Sequence, residues 1–383
     1  MNDETIRALC PTGAGASYDW AACCEVFPRL RALETTPQSP RYHAEGNVGI
    51  HTRMVLDALL QDEYFRAATG TRREGLFLAA LLHDLCKPET TVIDPVTGDV
   101  GQPGHSRRGA VDVRALLWRA GVPFALREAV CRIIAAHQVP FFAFDSRRGE
   151  PPEFIARRLS WGLSLPDLVC VARADMQGRV CADQKARLDD IALFEQLARE
   201  DGCWDGPREA ASAHTRLMYA RGAPLHLDTP LFQPAGSQVT VLCGLPASGK
   251  DCWVARHAPD LDVVSFDDAK AELGLKHGEN DGLAAHRAVD KAKALLRRHE
   301  PFVWNATHLS EQMRGKTLDL LYAYDAHVRL VYLEVPAHTL FKRNADRDTT
   351  LKQKDLERML YRWEVPLPWE AHQVAYEVVD SNV

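Results

Sequence analysis

The sequence predicts two domains in one chain: an all-α helical domain followed by an α/β domain with a mostly parallel sheet. Three observations predict it. The chain has 383 residues, too many for one ordinary core and about right for two. Up to about residue 222 apolar residues recur at helical spacing, whereas after about 238 short apolar runs alternate with helix-like segments. The first of those short runs, "QVTVLC", leads into "GLPASGK", a G-x-x-x-x-G-K loop.

In chain order, "VGIHTRMVLDALLQ", "REGLFLAALLHDL", "FALREAVCRIIAAHQ" and "LPDLVCVARAD" each carry a helical apolar stripe. Polar segments with Pro and Gly separate them, such as "DPVTGDVGQPGHS" and "FDSRRGEPPE". The stretch "RGAPLHLDTPLFQPAGS" breaks the rhythm with prolines and turn residues, which sets the first domain at 1–222, a linker at 223–237 and the second domain at 238–383. Beyond it, "QVTVLCG", "LDVVSFDD", "PFVWNAT", "HVRLVYLEV" and "VAYEVVD" read as strands. Helix-like segments lie between most of them, the pattern of a parallel sheet covered by helices.

Composition narrows the class. Hydrophobic content of 46% and charged content of 26% are those of a globular protein. A formal net charge of −6 excludes a strongly basic global field, so nucleic-acid binding would rest on local patches. The 10 cysteines form no C-x-x-C pair and sit in apolar stretches, which points to reduced thiols in a cytoplasmic protein. "MNDETIRALC" lacks the apolar core of a signal peptide, and no apolar run approaches the roughly twenty residues that span a membrane.

The first half carries an ordered set of metal-type residues: His51, the pair His83-Asp84, His105, His137 and Asp175. Imidazole and carboxylate together suit divalent transition metals. Adjacent residues on a helix are about 100° apart, so His83 and Asp84 can approach one ion from one side. The helix before them, "LFLAALL", is apolar all round and must be buried, and a His-Asp pair there is costly unless paired or ligating. His137 follows Ile133 and Val130 on the inward stripe, and Asp175 follows Leu168 and Val171 in the same way. A single inward histidine such as His137 is more often a hydrogen-bonded core residue than a ligand; His43, His214 and His226 are placed in that structural class.

The set, with "LLHDLCKP", "GHSRRGA" and "ARADMQGR", resembles the HD superfamily of metal-dependent phosphohydrolases over about residues 45–180. "HDLCKP" and "AD-x-x-G-R" look most like the HD domains that act on RNA ends. The resemblance implies a metal site of His51, His83, Asp84 and Asp175, with His105 and His137 holding a second ion or contacting the phosphate. Lys87 and Arg179 would be phosphate-binding cations, with Asp84 and Lys87 among the catalytic residues. A metal there would lower the pKa of bound water and supply a nucleophile for phosphorus.

In the second half, strand, Gly-rich loop and helix occur in the order a phosphate-binding loop needs. Gly244, Ser248, Gly249, Lys250, Asp251 and Cys252 form the expected ATP site, with Lys250 bridging the β- and γ-phosphates. The position after the lysine normally carries Ser or Thr for Mg²⁺; here it is Asp251. A carboxylate can bind Mg²⁺ directly, or the extra negative charge can weaken the site. "SFDDAK" ends the second strand, where Asp267 is well placed as general base and Lys270 to hold an acceptor phosphate. Alternatively Asp267 is a helix N-cap, unless Asp268 takes that role. The third strand ends in "NATHLSEQMR", offering Asn305, Thr307 and Arg314, of which Thr307 and Arg314 are expected at the acceptor. Arg343 and Arg347, four apart, suit a lid over ATP or a plain solvated helix face.

"GLPASGKD", "SFDDAK", "NATHLS", "KRNADR" and "LERMLYRW" together resemble the 5′-OH polynucleotide kinases of the phage and bacterial end-healing type, over about 238–370. The resemblance implies Asp267 as general base and Arg347 as the lid arginine. Lys270 stands where an arginine is usual, so the charge survives but the bidentate fork does not.

An HD phosphohydrolase joined to such a kinase resembles the bifunctional HD-domain polynucleotide kinases. The resemblance implies ATP as donor, other nucleoside triphosphates being alternatives, with Mg²⁺ for the kinase. It implies one or two divalent transition metal ions for the HD domain. The substrates would be RNA or DNA with a 5′-OH on one side and a 2′,3′-cyclic, 2′- or 3′-phosphate on the other, and a separate ligase would seal the healed ends. Two other readings compete: a nucleotide-pool enzyme acting on small molecules, and a non-catalytic RNA or nucleotide sensor. The basic pairs Arg107-Arg108, Arg147-Arg148 and Arg157-Arg158 favour a polymer over small molecules, unless they are ordinary solvated charges.

Overall fold

The structure is a computed structural model that describes residues 2–13, 15–275, 279–346 and 351–380. It divides into two compact units, Met1–Arg208 and Glu209–Val383.

The first unit is helical, and the helices that carry the polar centre form for local reasons. Helix α1 (Val48–Gln61) starts where the Asn47 side chain accepts from Ile50 N, and it buries Val48, His51, Thr52, Val55, Leu56 and Leu59 on one stripe. Helix α2 (Gly70–Leu82) is buried on every side from Gly75 to Leu82, as its unbroken apolar run requires. Helices α3 (His105–Arg119) and α4 (Phe124–Ala136) follow. Helix α5 (Leu165–Gln177) is capped by Ser164, has Pro166 in its first turn and is followed by α6 (Gln184–Glu200). Each fully buried Leu or Val of this core contributes roughly 1.5–3 kcal/mol relative to exposure.

At the segment "DPVTGDVGQPGHS", read as a loop, the chain makes a short antiparallel hairpin that pairs Val92–Ile93, just before it, with Val100–Gly101 within it. The Asp94 carboxylate accepts from Val96 N and Thr97 N and closes the turn. Two-residue strands are too short for an alternating pattern to show.

The second unit holds a five-stranded sheet. The strands are β1 (Gln238–Cys243), β2 (Asp262–Ser265), β3 (Phe302–Asn305), β4 (His327–Glu334) and β5 (Gln373–Val378), in the order β2-β3-β1-β4-β5 with every pair parallel. Central strands β1 and β4 are almost wholly buried, which is why they read as continuous apolar runs. Helices α7 (Lys250–His257), α8 (Phe266–Glu272) and α9 (Asp281–Arg297) make the first two crossovers, and α10 (Glu311–Tyr322) the next. Helices α11 (Ala337–Ala345) and α12 (Gln353–Leu360) lie between β4 and β5.

The division between units falls earlier than the 222/223 boundary expected from the prolines. Helix Ala213–Ala220 and the segment after it belong to the second unit: Thr215 Oγ1 donates to Thr229 O, and Arg216 donates to His372 O. His214, placed in the structural class, lies 3.1 Å from His372 Nε2, and the His372 ring stacks on His327. Prolines and turn residues mark a change of direction, not a free spacer.

Candidate functional site

In the first unit, five elements deliver polar side chains into an apolar interior. His51 comes from α1, His83 and Asp84 from the end of α2, His105 from the first position of α3, His137 from the end of α4, and Asp175 from α5. His51, His83, His137 and Asp175 have no exposed surface, and Asp84 has 1%. All four imidazoles donate Nδ1–H to a main-chain carbonyl: His51 to Gly178, His83 to Ala80, His105 to Gln102 and His137 to Ile134, at 2.7–3.1 Å. In the neutral ring this leaves Nε2 with its lone pair towards the centre, the orientation metal-binding histidines adopt.

The spacing fits an ion. A metal–nitrogen bond of about 2.1 Å places neighbouring ligand atoms roughly 3.0–3.4 Å apart. His51 Nε2 lies 3.1 Å from Asp175 Oδ1 and 3.4 Å from His83 Nε2, and His83 Nε2 lies 3.1 Å from Asp84 Oδ2. His105 Nε2 is 3.4 Å from Asp84 Oδ1, and His137 Nε2 is 3.8 Å from Asp175 Oδ2. Asp84 Oδ1 and His137 Nε2 are buried without a hydrogen bond, a costly state for stability alone. Three overlapping triads, His51-His83-Asp84, His83-His137-Asp175 and Asp84-His105-His137, each bring their ligand atoms within 4.8 Å. The donor set suits one or two divalent transition ions.

The electrostatics agree. Burial works against the charge on Asp84, but His83 and Lys87 outweigh it and hold the carboxyl well below the usual carboxylate range. Burial likewise opposes Asp175, and Arg179 and His51 outweigh it. Burial pushes His137 down to about 3 and also lowers His105, keeping both neutral. His51 moves the other way: burial opposes its charge, but Asp175 and Glu45 prevail.

Lys87 and Arg179, the expected phosphate cations, each meet one of the two carboxylates. Lys87 Nζ is 2.7 Å from Asp84 Oδ2 and donates to Gln38 Oε1 at 2.7 Å. Arg179 donates Nε and Nη2 to the two oxygens of Asp175, at 3.0 and 2.7 Å, and stacks over Phe141. Gly178 makes this placement possible. A Cβ there would lie 2.7 Å from Val55 N, so only glycine lets the end of α5 reach α1 and offer its carbonyl to His51.

One functional group was missed by sequence reasoning. Glu45, with a side chain 1% exposed, accepts from His43 Nδ1 at 2.8 Å and from Val180 N at 2.8 Å, and its carboxylate lies 3.1 Å from His51 Nδ1. It orients His51, and it draws His43 into the same cluster. The triplet "HAE" just before α1 was the available signal, but it lies in a turn segment with no periodicity to mark it as inward-facing. Four arginines of the basic pairs meet local carboxylates: Arg108 holds Asp112, Arg147 Asp145, Arg157 Asp201 and Arg158 Glu150.

In the second unit the carboxyl ends of the strands carry the expected groups, the usual ligand position in such sheets. The loop after β1 has positive φ at Gly244, Ala247 and Gly249. Gly244 packs so closely on Leu333 O that a Cβ would lie 2.4 Å away. Gly244 N donates to Thr307 O, which ties the loop to the end of β3. Ser248 Oγ is buried in the loop without a hydrogen bond, and Cys252 is exposed on the first turn of α7. Lys250 Nζ donates to Gly244 O and Leu245 O at 3.1 and 3.0 Å, folded back on its own loop. Arg343 reaches this loop from α11, with Nη1 3.5 Å from where a Gly249 Cβ would stand. Asp251 Oδ1 accepts from Asn305 Nδ2 at 2.7 Å.

Asp267 is exposed in the first turn of α8 and is not its cap; Ser265 caps the helix by accepting from Asp268 N. Neither Asp267 nor Asp268 is needed for that role. Lys270 Nζ lies 2.5 Å from Asp281 Oδ1, a contact with a carboxylate 72% exposed that an incoming phosphate can exchange. Arg347 lies outside the described residues.

Arg314, expected at the acceptor, is corrected by the structure. It is fully buried, donates Nε and Nη2 to Glu370 at 2.6 and 2.8 Å, and donates Nη1 to His308 O and Glu364 O. Its fork is spent on holding the segment before β5. Arg314→Ala should therefore leave Glu370 buried without its cation and cost about 3–5 kcal/mol of stability. Denaturant unfolding of the full chain reads that loss; an unchanged midpoint would show the pair to be dispensable.

Comparisons with known proteins follow this geometry. Residues 48–175 match the HD domain family, and residues 239–366 match the AAA domain family. The chain is similar to the multifunctional CCA protein of Laribacter hongkongensis, at 32% identity over 44% of this chain and 39% of that protein. It is also similar to that of Hahella chejuensis, at 29% identity over 48% of this chain and 42% of that protein. The matched region thus spans about two fifths of the length of these curated relatives. Among solved structures, Kti12 of Chaetomium thermophilum in complex with ADP-AlF3 covers 38% of this chain and 89% of its own, at 15% identity and a TM-score of 0.29, too low to support a fold assignment. No helix among the described residues is long and apolar enough to cross a membrane. The chain is a helical HD domain followed by a P-loop kinase-like domain with a five-stranded parallel sheet.

Proposed function

We propose that this chain heals broken nucleic-acid ends: the HD domain removes a 2′,3′-cyclic, 2′- or 3′-phosphate, and the P-loop domain transfers the γ-phosphate of ATP to a 5′-OH. The observation that carries the reading is the pairing, in one chain, of a buried His/Asp centre flanked by two cations with a phosphate loop and, in the helix that follows β2 of the same sheet, Asp267.

In the HD domain, His51, His83, Asp84 and Asp175 would hold one ion, and His105 and His137 a second ion or the substrate phosphate. Such an ion supplies Lewis-acid polarisation of phosphoryl oxygen and activation of water at neutral pH. The chain's own residues do the rest. Main-chain carbonyls and Glu45 fix the imidazole orientations, and Lys87 and Arg179 neutralise phosphate charge from the rim of the carboxylates. In the kinase-like domain, loop N–H groups and Lys250 bind the β- and γ-phosphates of ATP. Arg343 lies against the loop to neutralise the transferring group, with Arg347 proposed as its partner. Asp267 takes the proton from the 5′-OH as that oxygen attacks the γ-phosphorus, and Lys270 and Thr307 hold the acceptor end. A separate ligase would use both products.

The test is a short RNA, and its DNA counterpart, with a 5′-OH and a 2′,3′-cyclic or 3′-phosphate. It is incubated with the full chain, labelled ATP, Mg²⁺ and a panel of transition metals, and both ends are resolved. Label at the 5′ end with phosphate lost at the 3′ end is the expected result. Unchanged ends with hydrolysis of free nucleotides would overturn it in favour of a nucleotide-pool enzyme, and binding without turnover in favour of a sensor.

A further inference from the structure

P-loop proteins hold their Mg²⁺ with the loop Ser or Thr and with an Asp carried by the end of a neighbouring strand. In this chain the loop position is Asp251, and the last residue of β3 is Asn305. β3 lies beside β1, the strand that feeds the loop, with Asn305 in register with Leu242. Across that gap Asn305 Nδ2 donates to Asp251 Oδ1 at 2.7 Å. The carboxylate and the neutral oxygen are both present, in each other's places.

We propose that Asp251 and Asn305 are an exchanged metal pair, in which the loop supplies the carboxylate and the strand supplies an amide oxygen for the Mg²⁺ of a bound nucleoside triphosphate. The inference rests on the nucleotide-binding half of the proposed function and not on the acceptor. Mg²⁺ takes oxygen ligands, commonly one or two carboxylates together with substrate phosphates. With Nδ2 turned towards Asp251, the Asn305 amide presents Oδ1 as its ligand atom. The pair carries one negative charge, as the usual hydroxyl and carboxylate do, so the arrangement adds no repulsion against the phosphates. The exchange also accounts for the absence of a hydroxyl at the position after Lys250 without loss of the metal.

Charge counting makes the pair testable. Asp251→Ser leaves the pair with no carboxylate. Asn305→Asp places two carboxylates at hydrogen-bond distance and removes the N–H that links them. Asp251→Ser with Asn305→Asp returns to the usual layout, with one carboxylate and a hydroxyl that can donate to it.

The experiment is calorimetric titration of the full chain with a non-hydrolysable ATP analogue, with Mg²⁺ and with EDTA, in the absence of any acceptor. The parent chain is expected to bind at least about tenfold tighter with Mg²⁺. Each single variant, and Asp251→Asn as the replacement closest in shape, should lose most of that difference. The double variant should regain it to within about threefold, a coupling of the size contacting residues show. Thermal unfolding of each variant confirms that the fold is retained. Mg²⁺ dependence unchanged in Asp251→Ser, or losses that simply add in the double variant, would overturn the proposal. Coupling that is present while no 5′ end becomes labelled would support the exchanged pair and reject only the polynucleotide acceptor.

Discussion

His83→Ala is expected to lower removal of the 3′-terminal phosphate by about a thousandfold or more, while 5′ phosphorylation stays within about twofold of the parent. The geometry gives the reason. His83 Nε2 stands 3.4 Å from His51 Nε2 and 3.1 Å from Asp84 Oδ2, and its other nitrogen is committed to Ala80 O. Asp84→Asn should abolish the same activity but with a second signature. Asp84 is also the carboxylate of Lys87, a side chain only 2% exposed. Removing its charge leaves a buried cation uncompensated, at a cost of about 3–5 kcal/mol. A melting temperature that falls in Asp84→Asn but much less in His83→Ala would separate pairing from metal binding. Full phosphoesterase activity in His83→Ala would remove the metal centre from the account.

Asp267→Ala is expected to reduce transfer of the γ-phosphate to a 5′-OH by about 10²–10⁴-fold, the range for loss of a general base. The HD activity and the affinity for ATP should not change. Asp267 neither caps α8, since Ser265 does, nor belongs to the loop that binds the phosphates. Its removal therefore takes away a proton acceptor without removing a structural contact shown for it. Rapid-quench measurement of single-turnover transfer, with the nucleotide saturating, reads the chemical step directly. Undiminished transfer would reassign the base.

Much of this was legible from residue types and spacing. His137 and Asp175 were readable as inward-facing from the apolar spacing of their segments, and His83-Asp84 from the buried apolar run before them, where an unpaired polar group is costly. The loop was readable because its glycines are required by backbone geometry, through positive φ at Gly244 and Gly249. Glu45 was not legible. It lies in a turn, where no period tells inward from outward, and its partners His51 and Val180 come from separate segments. Arg314 was misread because an arginine after a strand end looks the same whether it faces a ligand or a carboxylate far along the chain. Its partner, Glu370, is 56 residues away. The linker was misplaced because Pro and Gly mark turns, while the contacts of Thr215 and Arg216 decide which body the segment joins.

The sequence by itself determined the two element rhythms, the strands and helices they imply, and the two sets of reactive side chains. Those are local properties, set by periodicity and by the chemistry of each residue. Only the tertiary structure decided which charged groups are spent on stability and which face a substrate. A buried charge must find a partner, and partners such as Glu370 for Arg314 and Asp84 for Lys87 are chosen by packing across the chain.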